Sequence, residues 1–264
     1  MHPHIQISKV SKVFSSGDRE VVALDDINLD IGPGEFICLL GPSGCGKSTL
    51  LNAVAGFSLP TAGTILVDGK AVQSPGPDRG MVFQEYALFP WMTVEKNIAF
   101  GLEIKKMAKA QIREKVAALL EMLNLQDFRD RYPKDLSGGM RQRVAIARVL
   151  ALDSPIMLMD EPFGALDSLT RRNLQDELLR IWMEYKKTII FVTHSIEESI
   201  YLADRIIVMT YRPGKVKKVV SVAMPRPRDP SSAGFNDLKK QLSLLVMEEQ
   251  SRQIRDEIKA PAVD

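Results

Sequence analysis

The sequence is poor in cysteine. Of its 264 residues only Cys38 and Cys45 are cysteines, and their spacing matches no metal-binding pattern. Free thiols in a reducing compartment are the expectation. Long apolar runs are missing as well: none reaches the ~18 residues needed to span a bilayer. Met1-His2-Pro3-His4 leads into no basic region with an apolar core, so no signal peptide is expected. Membrane association would then come through a partner, and the expected location is the cytoplasm. Net charge is small too, at +2, which gives no argument for nucleic acid or an anionic membrane surface. There is no internal repeat and no coiled-coil heptad run. What remains is the balance of an ordinary soluble globule, 45% hydrophobic and 26% charged. Its length suits one large α/β domain, or one domain with an inserted subdomain.

The stretch that organises the chain is Gly41-Pro42-Ser43-Gly44-Cys45-Gly46-Lys47-Ser48-Thr49. It follows the apolar run Phe36–Leu40, which suits a buried parallel strand. It leads into Leu50–Ala55, an apolar segment with helical propensity that stops at Gly56. A G-x-x-x-x-G-K-[S/T] pattern between a strand and a helix is a P-loop. Its glycines let consecutive N–H groups turn inward, and the helix N-terminus adds partial positive charge. Lys47 can reach the β- and γ-phosphates of a nucleoside triphosphate, and the Ser48 hydroxyl can ligate Mg²⁺.

Around this loop the pattern alternates. Residues 5–13 and 21–31 read as half-exposed antiparallel strands, with Phe14 ending the first and the turn-like Ser15-Ser16-Gly17-Asp18 between them. Thr64–Val67 with Asp68-Gly69-Lys70 reads as a strand and tight turn, and Gly80–Phe83 as another strand. Glu85–Trp91 is irregular. From Thr93 the character is helical, most clearly over Lys109–Leu125. A further helix opens at Leu136-Ser137-Gly138-Gly139 and runs to about residue 152. The strand Ile156–Met159 ends on Asp160-Glu161-Pro162. Then follow a helix from Ser168 to Tyr185, a strand Thr188–Thr193 ending at His194, a short helix over 196–203, and a strand Arg205–Met209. A last helix spans about Asn236 to Lys259. The fold class is therefore α/β: a P-loop NTPase with a parallel core sheet, an N-terminal antiparallel β subdomain and an inserted helical subdomain over about 85–150.

Asp160 closes an apolar strand, where a carboxylate can hold the hydration shell of Mg²⁺ opposite Ser48. Glu161 points differently and can polarise an attacking water as general base.

Taken together, Leu136-Ser137-Gly138-Gly139, Gln84, Asp167 and His194, in this order with the P-loop and Asp160-Glu161, make the chain resemble the ATP-binding subunit of ABC transporters through residue 225, with 226–264 a helical tail. The resemblance implies ATP and Mg²⁺ as ligands and ATP hydrolysis as the activity. It implies that Ser137, Gly138 and Gly139 contact the γ-phosphate bound to a second subunit, so that two identical chains sandwich two ATP molecules head to tail. It makes Gln84 a Mg²⁺ and water ligand that reports to a transmembrane partner. It makes His194 the switch histidine that bonds the γ-phosphate and positions Glu161, and Asp167 the residue coupling the two sites. Phe14 occupies the position that stacks on adenine; a core phenylalanine at a strand end is the competing reading. Met140 departs from the glutamine many members carry there, a position peripheral to the phosphate.

Leu88-Phe89-Pro90-Trp91 and Pro225-Arg226-Pro227-Arg228 resemble the nitrate/sulfonate/taurine branch of bacterial importers. On that resemblance the chain works on the cytoplasmic face of the inner membrane beneath two permease subunits, docked near Leu88–Trp91, and an external solute-binding protein supplies a small anion such as nitrate, a sulfonate, taurine or bicarbonate. Ordinary subdomain packing is the competing reading of Trp91. At the level of the whole chain the alternative is a soluble ABC ATPase, of the kind resembling iron–sulfur assembly machinery. A DNA-repair or translation ATPase would carry long coiled-coil insertions or two nucleotide domains, and a catalytically dead scaffold would lack motif residues present here.

Overall fold

The computed structural model describes residues 3–17 and 19–259. Asp18 of the expected turn and residues 260–264 of the tail lie outside that range. Two compact units emerge, one formed by the residues up to Pro75 together with those from Thr188 on, the other by Gly76–Lys187.

In the first unit, β1 (Ile5–Ser16) and β2 (Arg19–Ile31) pair antiparallel, with Ile5 opposite Ile31 and Ile7 opposite Leu29. Alternation puts these four side chains in the core and their polar neighbours outside. β4 (Ala62–Val67) adds to the free edge of β1, and the two-residue β5 (Lys70–Ala71) completes a sheet in the order β2-β1-β4-β5. β1 runs past residue 13, so Phe14 lies within the strand, paired with Val21.

The same unit holds β3 (Phe36–Leu40), whose five side chains are all buried, as a strand covered on both faces requires. β8 (Thr188–Thr193) and β9 (Arg205–Met209) flank it in parallel, and β10 (Val216–Ser221) pairs antiparallel with β9. Each fully buried Leu, Ile or Phe here contributes about 1.5–3 kcal/mol of transfer free energy. Helix α1 (Lys47–Ala55) follows the loop after β3 and stops at Gly56, left-handed at φ 84°, whose N–H bonds Ala53 O. α6 (Ile196–Leu202) links β8 to β9, and the long α7 (Ala233–Lys259) ends the described chain.

In the second unit, β6 (Arg79–Val82) and β7 (Ile156–Asp160) are parallel neighbours, Val82 lying opposite Met159. Phe83, expected in the strand, lies beyond its end. Between them come α2 (Val94–Ile104), α3 (Lys109–Met122), two single 3₁₀ turns and α4 (Gly138–Ala151). α3 is shorter than expected: Asn124, at φ 53°, breaks it, and Leu123 and Leu125 are buried in the turn that follows. α5 (Ser168–Tyr185) completes the unit.

Candidate nucleotide site

The loop after β3 is shaped from inside. Lys47, 5% exposed, donates from Nζ to the carbonyls of Gly41 and Pro42, both at 2.9 Å, and so draws the loop around its ammonium. Gly44 and Gly46 take φ of 73° and 94°, which a side chain would oppose. A methyl group at Gly46 would also stand 2.8 Å from Ala23 O. Leu50 N–H bonds back to Gly46 O at 2.9 Å, which starts α1 at Lys47 and leaves the N–H groups before it directed into the loop. Anionic phosphate oxygens fit such a cradle of amides around a cation. Ser48 stands in the first turn. Burial pushes the Cys45 thiol up, with Lys47 opposing, so it stays protonated and unreactive at neutral pH.

Two supports of this loop were not read from the sequence. Arg212 donates from Nε to Gly44 O at 3.3 Å, and Gly214 presses on the loop so closely that a methyl group there would stand 2.2 Å from Cys45 O. Only the glycine-containing turn Arg212-Pro213-Gly214 could have hinted at them.

β8 brings His194 to the same end of the sheet. Thr193 lies opposite Leu40, the residue before Gly41, so His194 and the loop both leave the carboxyl ends of adjacent parallel strands. His194 is exposed, and its backbone is held on both sides: Ser195 N–H donates to Thr193 Oγ1 at 2.9 Å, and Thr193 Oγ1–H donates to the buried Glu198 carboxylate at 2.6 Å. Phe14 is 45% exposed, which removes the core reading, and Lys12 Nζ lies 5.2 Å from its ring centroid.

In the second unit the register Val82–Met159 puts Gln84 and the pair Asp160-Glu161 at the carboxyl ends of two adjacent parallel strands. Asp160 is the last residue of β7. Glu161 has φ 42°, rare for a side-chain-bearing residue, which turns its carboxylate away from the strand's alternation. The loop that follows is fixed by Gly164 N–H on Glu161 O and by Arg171, which donates to Phe163 O and Leu166 O. Asp167 is the N-cap of α5, accepting from Thr170 N–H at 3.0 Å, and that bond holds its carboxyl below the ordinary range.

Ser137 is likewise the N-cap of α4, accepting from Met140 N–H at 3.3 Å. Its two glycines differ. A methyl group at Gly139 would stand 2.6 Å from Thr170 Cγ2, so this glycine is required by helix packing; at Gly138 the nearest atom would be 3.2 Å away. The same helix steadies the segment after Gln84: Arg148 lies over the Phe89 ring and donates to Tyr86 O, and Arg141 lies over the Tyr86 ring. Fully buried Asn97 holds both the N–H and the carbonyl of Phe89 and the carbonyls of Met92 and Thr93. Trp91, 70% exposed, sits on this scaffold with its ring 5.7 Å from that of Phe89.

Among the described residues no group of three or more His, Cys, Asp or Glu is placed to hold a metal, and no helix is long and apolar enough to cross a membrane. The oxygens of Ser48 and Asp160 are hard donors of the type Mg²⁺ takes, an ion that keeps several waters and needs few protein ligands.

Fold and loop together define a P-loop protein of the nucleoside-triphosphate-binding class. Residues 24–164 match the family model described as ABC transporter. An uncharacterised ABC transporter ATP-binding protein of Methanocaldococcus jannaschii is 49% identical over 94% of this chain and 93% of its own length. The aliphatic sulfonates import ATP-binding protein SsuB of Bacillus cereus is 47% identical, over 90% of this chain and 94% of its own. Among solved structures, a dimeric ATP-binding cassette in a post-hydrolysis state with ADP and Pi superposes with a TM-score of 0.74 at 34% identity, covering 84% of this chain and all of that one. The chain belongs to the ABC transporter family, as an ATP-binding subunit with the ABC ATPase fold.

Proposed function

We propose that this subunit energises the import of a small anion, a sulfonate or taurine first and nitrate or bicarbonate next. ATP lies with its phosphates in the loop Gly41–Thr49 and its adenine on Phe14. Lys47 turns from the carbonyls of Gly41 and Pro42 to the β- and γ-phosphates. Ser48, Asp160 and Gln84 would hold Mg²⁺, which would neutralise charge on the phosphates. Glu161 takes a proton from the attacking water, and His194 bonds the γ-phosphate and positions Glu161. Ser137, Gly138 and Gly139 reach the γ-phosphate bound by a second copy of the chain, arranged head to tail, and Asp167 couples the two sites. ATP closes this dimer and hydrolysis reopens it.

The observation that carries the reading is the strand register. Within one unit His194 follows the strand that neighbours the one leading into the phosphate loop, and within the other Gln84 and Asp160-Glu161 follow adjacent parallel strands; each register supports the reading. The import assignment is supported by the kinship with a sulfonate-import subunit and by the exposed Trp91, held on a rigid scaffold as an interface anchor would be. Permease subunits dock at Leu88–Trp91, which puts the protein at the cytoplasmic face of the inner membrane, with a solute-binding protein outside. The alternative is a soluble ABC ATPase without a transport role. Copurification tests it: the chain is expected to travel with a polytopic membrane protein, and a soluble, permease-free population that hydrolyses ATP at full rate would contradict the reading.

A further inference from the structure

The segment Pro225-Arg226-Pro227-Arg228 has no part in the nucleotide chemistry proposed above, yet both of its arginines make several hydrogen bonds within the first unit. Arg228 is 3% exposed. Its Nη1 donates to the carbonyls of Ile200 and Ala203, both at 2.6 Å, and of Tyr201 at 3.3 Å; Nη2 donates to Val222 O and Nε to Met224 O. The first three are carbonyls at the end of α6, where a cation also meets the negative end of the helix dipole. Burial, with Arg226 beside it, pushes the guanidinium down to about 10, so it remains charged at neutral pH. Arg226 donates to Leu202 O at 2.5 Å and to Asp204 at 2.7 Å. Asp204 in turn accepts from Phe36 N–H and donates its own N–H to Phe36 O, so the link ends at the first residue of β3.

At its other end α6 is capped by Ser195, whose Oγ accepts from Glu198 N–H, and by the bond between Glu198 and Thr193. His194 lies between those two capping residues. A helix of seven residues has little stability of its own, since isolated helices shorter than about 12 residues are marginal. Where its N-terminus sits therefore depends on what holds its C-terminus.

We propose that Arg228, assisted by Arg226, is a positioning residue for ATP hydrolysis: Arg228 ties the last carbonyls of α6 to Val222 and Met224, Arg226 ties Leu202 to Asp204, which bonds the start of β3, and together they fix the turn that presents His194. The proposal rests on the role of His194 given above. Lysine can replace the clamp only in part, because its single nitrogen cannot hold the α6 carbonyls and also reach the carbonyls of Met224 and Val222 that Nε and Nη2 bond.

The test is a double-mutant cycle on the full chain, reading hydrolysis at saturating ATP by single turnover together with the KM for ATP. Arg228→Lys is expected to lower the hydrolysis rate about tenfold with KM within about twofold, as a misplaced group costs rate and leaves ground-state binding intact. In a His194→Ala background the same substitution is expected to add almost nothing. An equal loss in both backgrounds, a rise in KM with the rate unchanged, or no loss at all would overturn the proposal. Wild-type hydrolysis by His194→Ala alone would instead overturn the role of His194, and this inference with it. Should Arg228→Lys not fold, the cycle is run with Arg226→Lys, for which the same pattern is expected and additivity would be fatal.

Discussion

At the scale of single residues, the proposed base stands where the backbone takes an uncommon conformation. Glu161 leaves the strand at φ 42°, one residue after Asp160. Its exchange for glutamine keeps the size but removes the carboxylate proposed as the base. Glu161→Gln is expected to bind ATP normally and to hydrolyse it about 10²–10³ times more slowly, read by phosphate release; turnover near the wild-type rate would remove Glu161 as the base. Lys47→Ala should abolish hydrolysis, and unaltered activity would refute the loop assignment. Gly139 makes a different kind of claim. Its Cβ would meet Thr170 Cγ2 at 2.6 Å, so Gly139→Ala is expected to lose about 1–3 kcal/mol in denaturant unfolding. Thr170→Ser, which deletes that methyl group, should restore part of the loss. If it restores none, the glycine is not there for packing.

At the scale of elements, both functional helices begin on side-chain caps, and one of these titrates. Asp167 has its folded-state pKa below the ordinary 3.8, chiefly through Thr170 N–H. A depressed carboxyl contributes stability above the unfolded pKa and loses it as pH falls through the folded value. Between about pH 5 and pH 2 the thermal midpoint of Asp167→Asn should therefore fall less steeply than that of the wild type; parallel curves would rule out the cap as a titrating contribution. Asn97→Ala should cost about 1–3 kcal/mol in denaturant unfolding, because it leaves the part-buried N–H of Phe89 and several carbonyls without their partner. Most elements were legible in the sequence. β3, α5, β8 and β9 have the bounds expected, since each is an apolar or amphipathic run closed by turn residues. β10 was missed because it is an edge strand carrying Lys217 and Lys218, with few buried side chains to make a pattern. The P-loop, Asp160-Glu161 and the glycine pair stood out in the sequence because each is a local pattern at the end of a strand or the start of a helix. Arg212, Gly214, Glu198 and Arg228 could not, because each acts on a backbone group whose position only folding supplies. Phe14 shows the limit from the other side: its place in the chain was readable, but whether it faced core or solvent was not.

At the scale of the whole molecule, an ATP-binding subunit of the ABC transporter family is of use only through what it drives, and no described helix could itself cross a membrane. Head-to-tail pairing of two copies predicts that Glu161→Gln forms a dimer when ATP is present and returns to monomer when ATP is removed, read by size-exclusion chromatography with light scattering; a monomer at saturating ATP would contradict the pairing. The central claim, that hydrolysis here is harnessed to anion import, is tested most directly by the ATPase rate of the chain assembled with its permease in liposomes, with the solute-binding protein loaded in turn with sulfonates, taurine, nitrate and bicarbonate. The account predicts a rate that rises with one of these cargoes and stays low with the others. Steady hydrolysis, indifferent to permease and cargo alike, would contradict it.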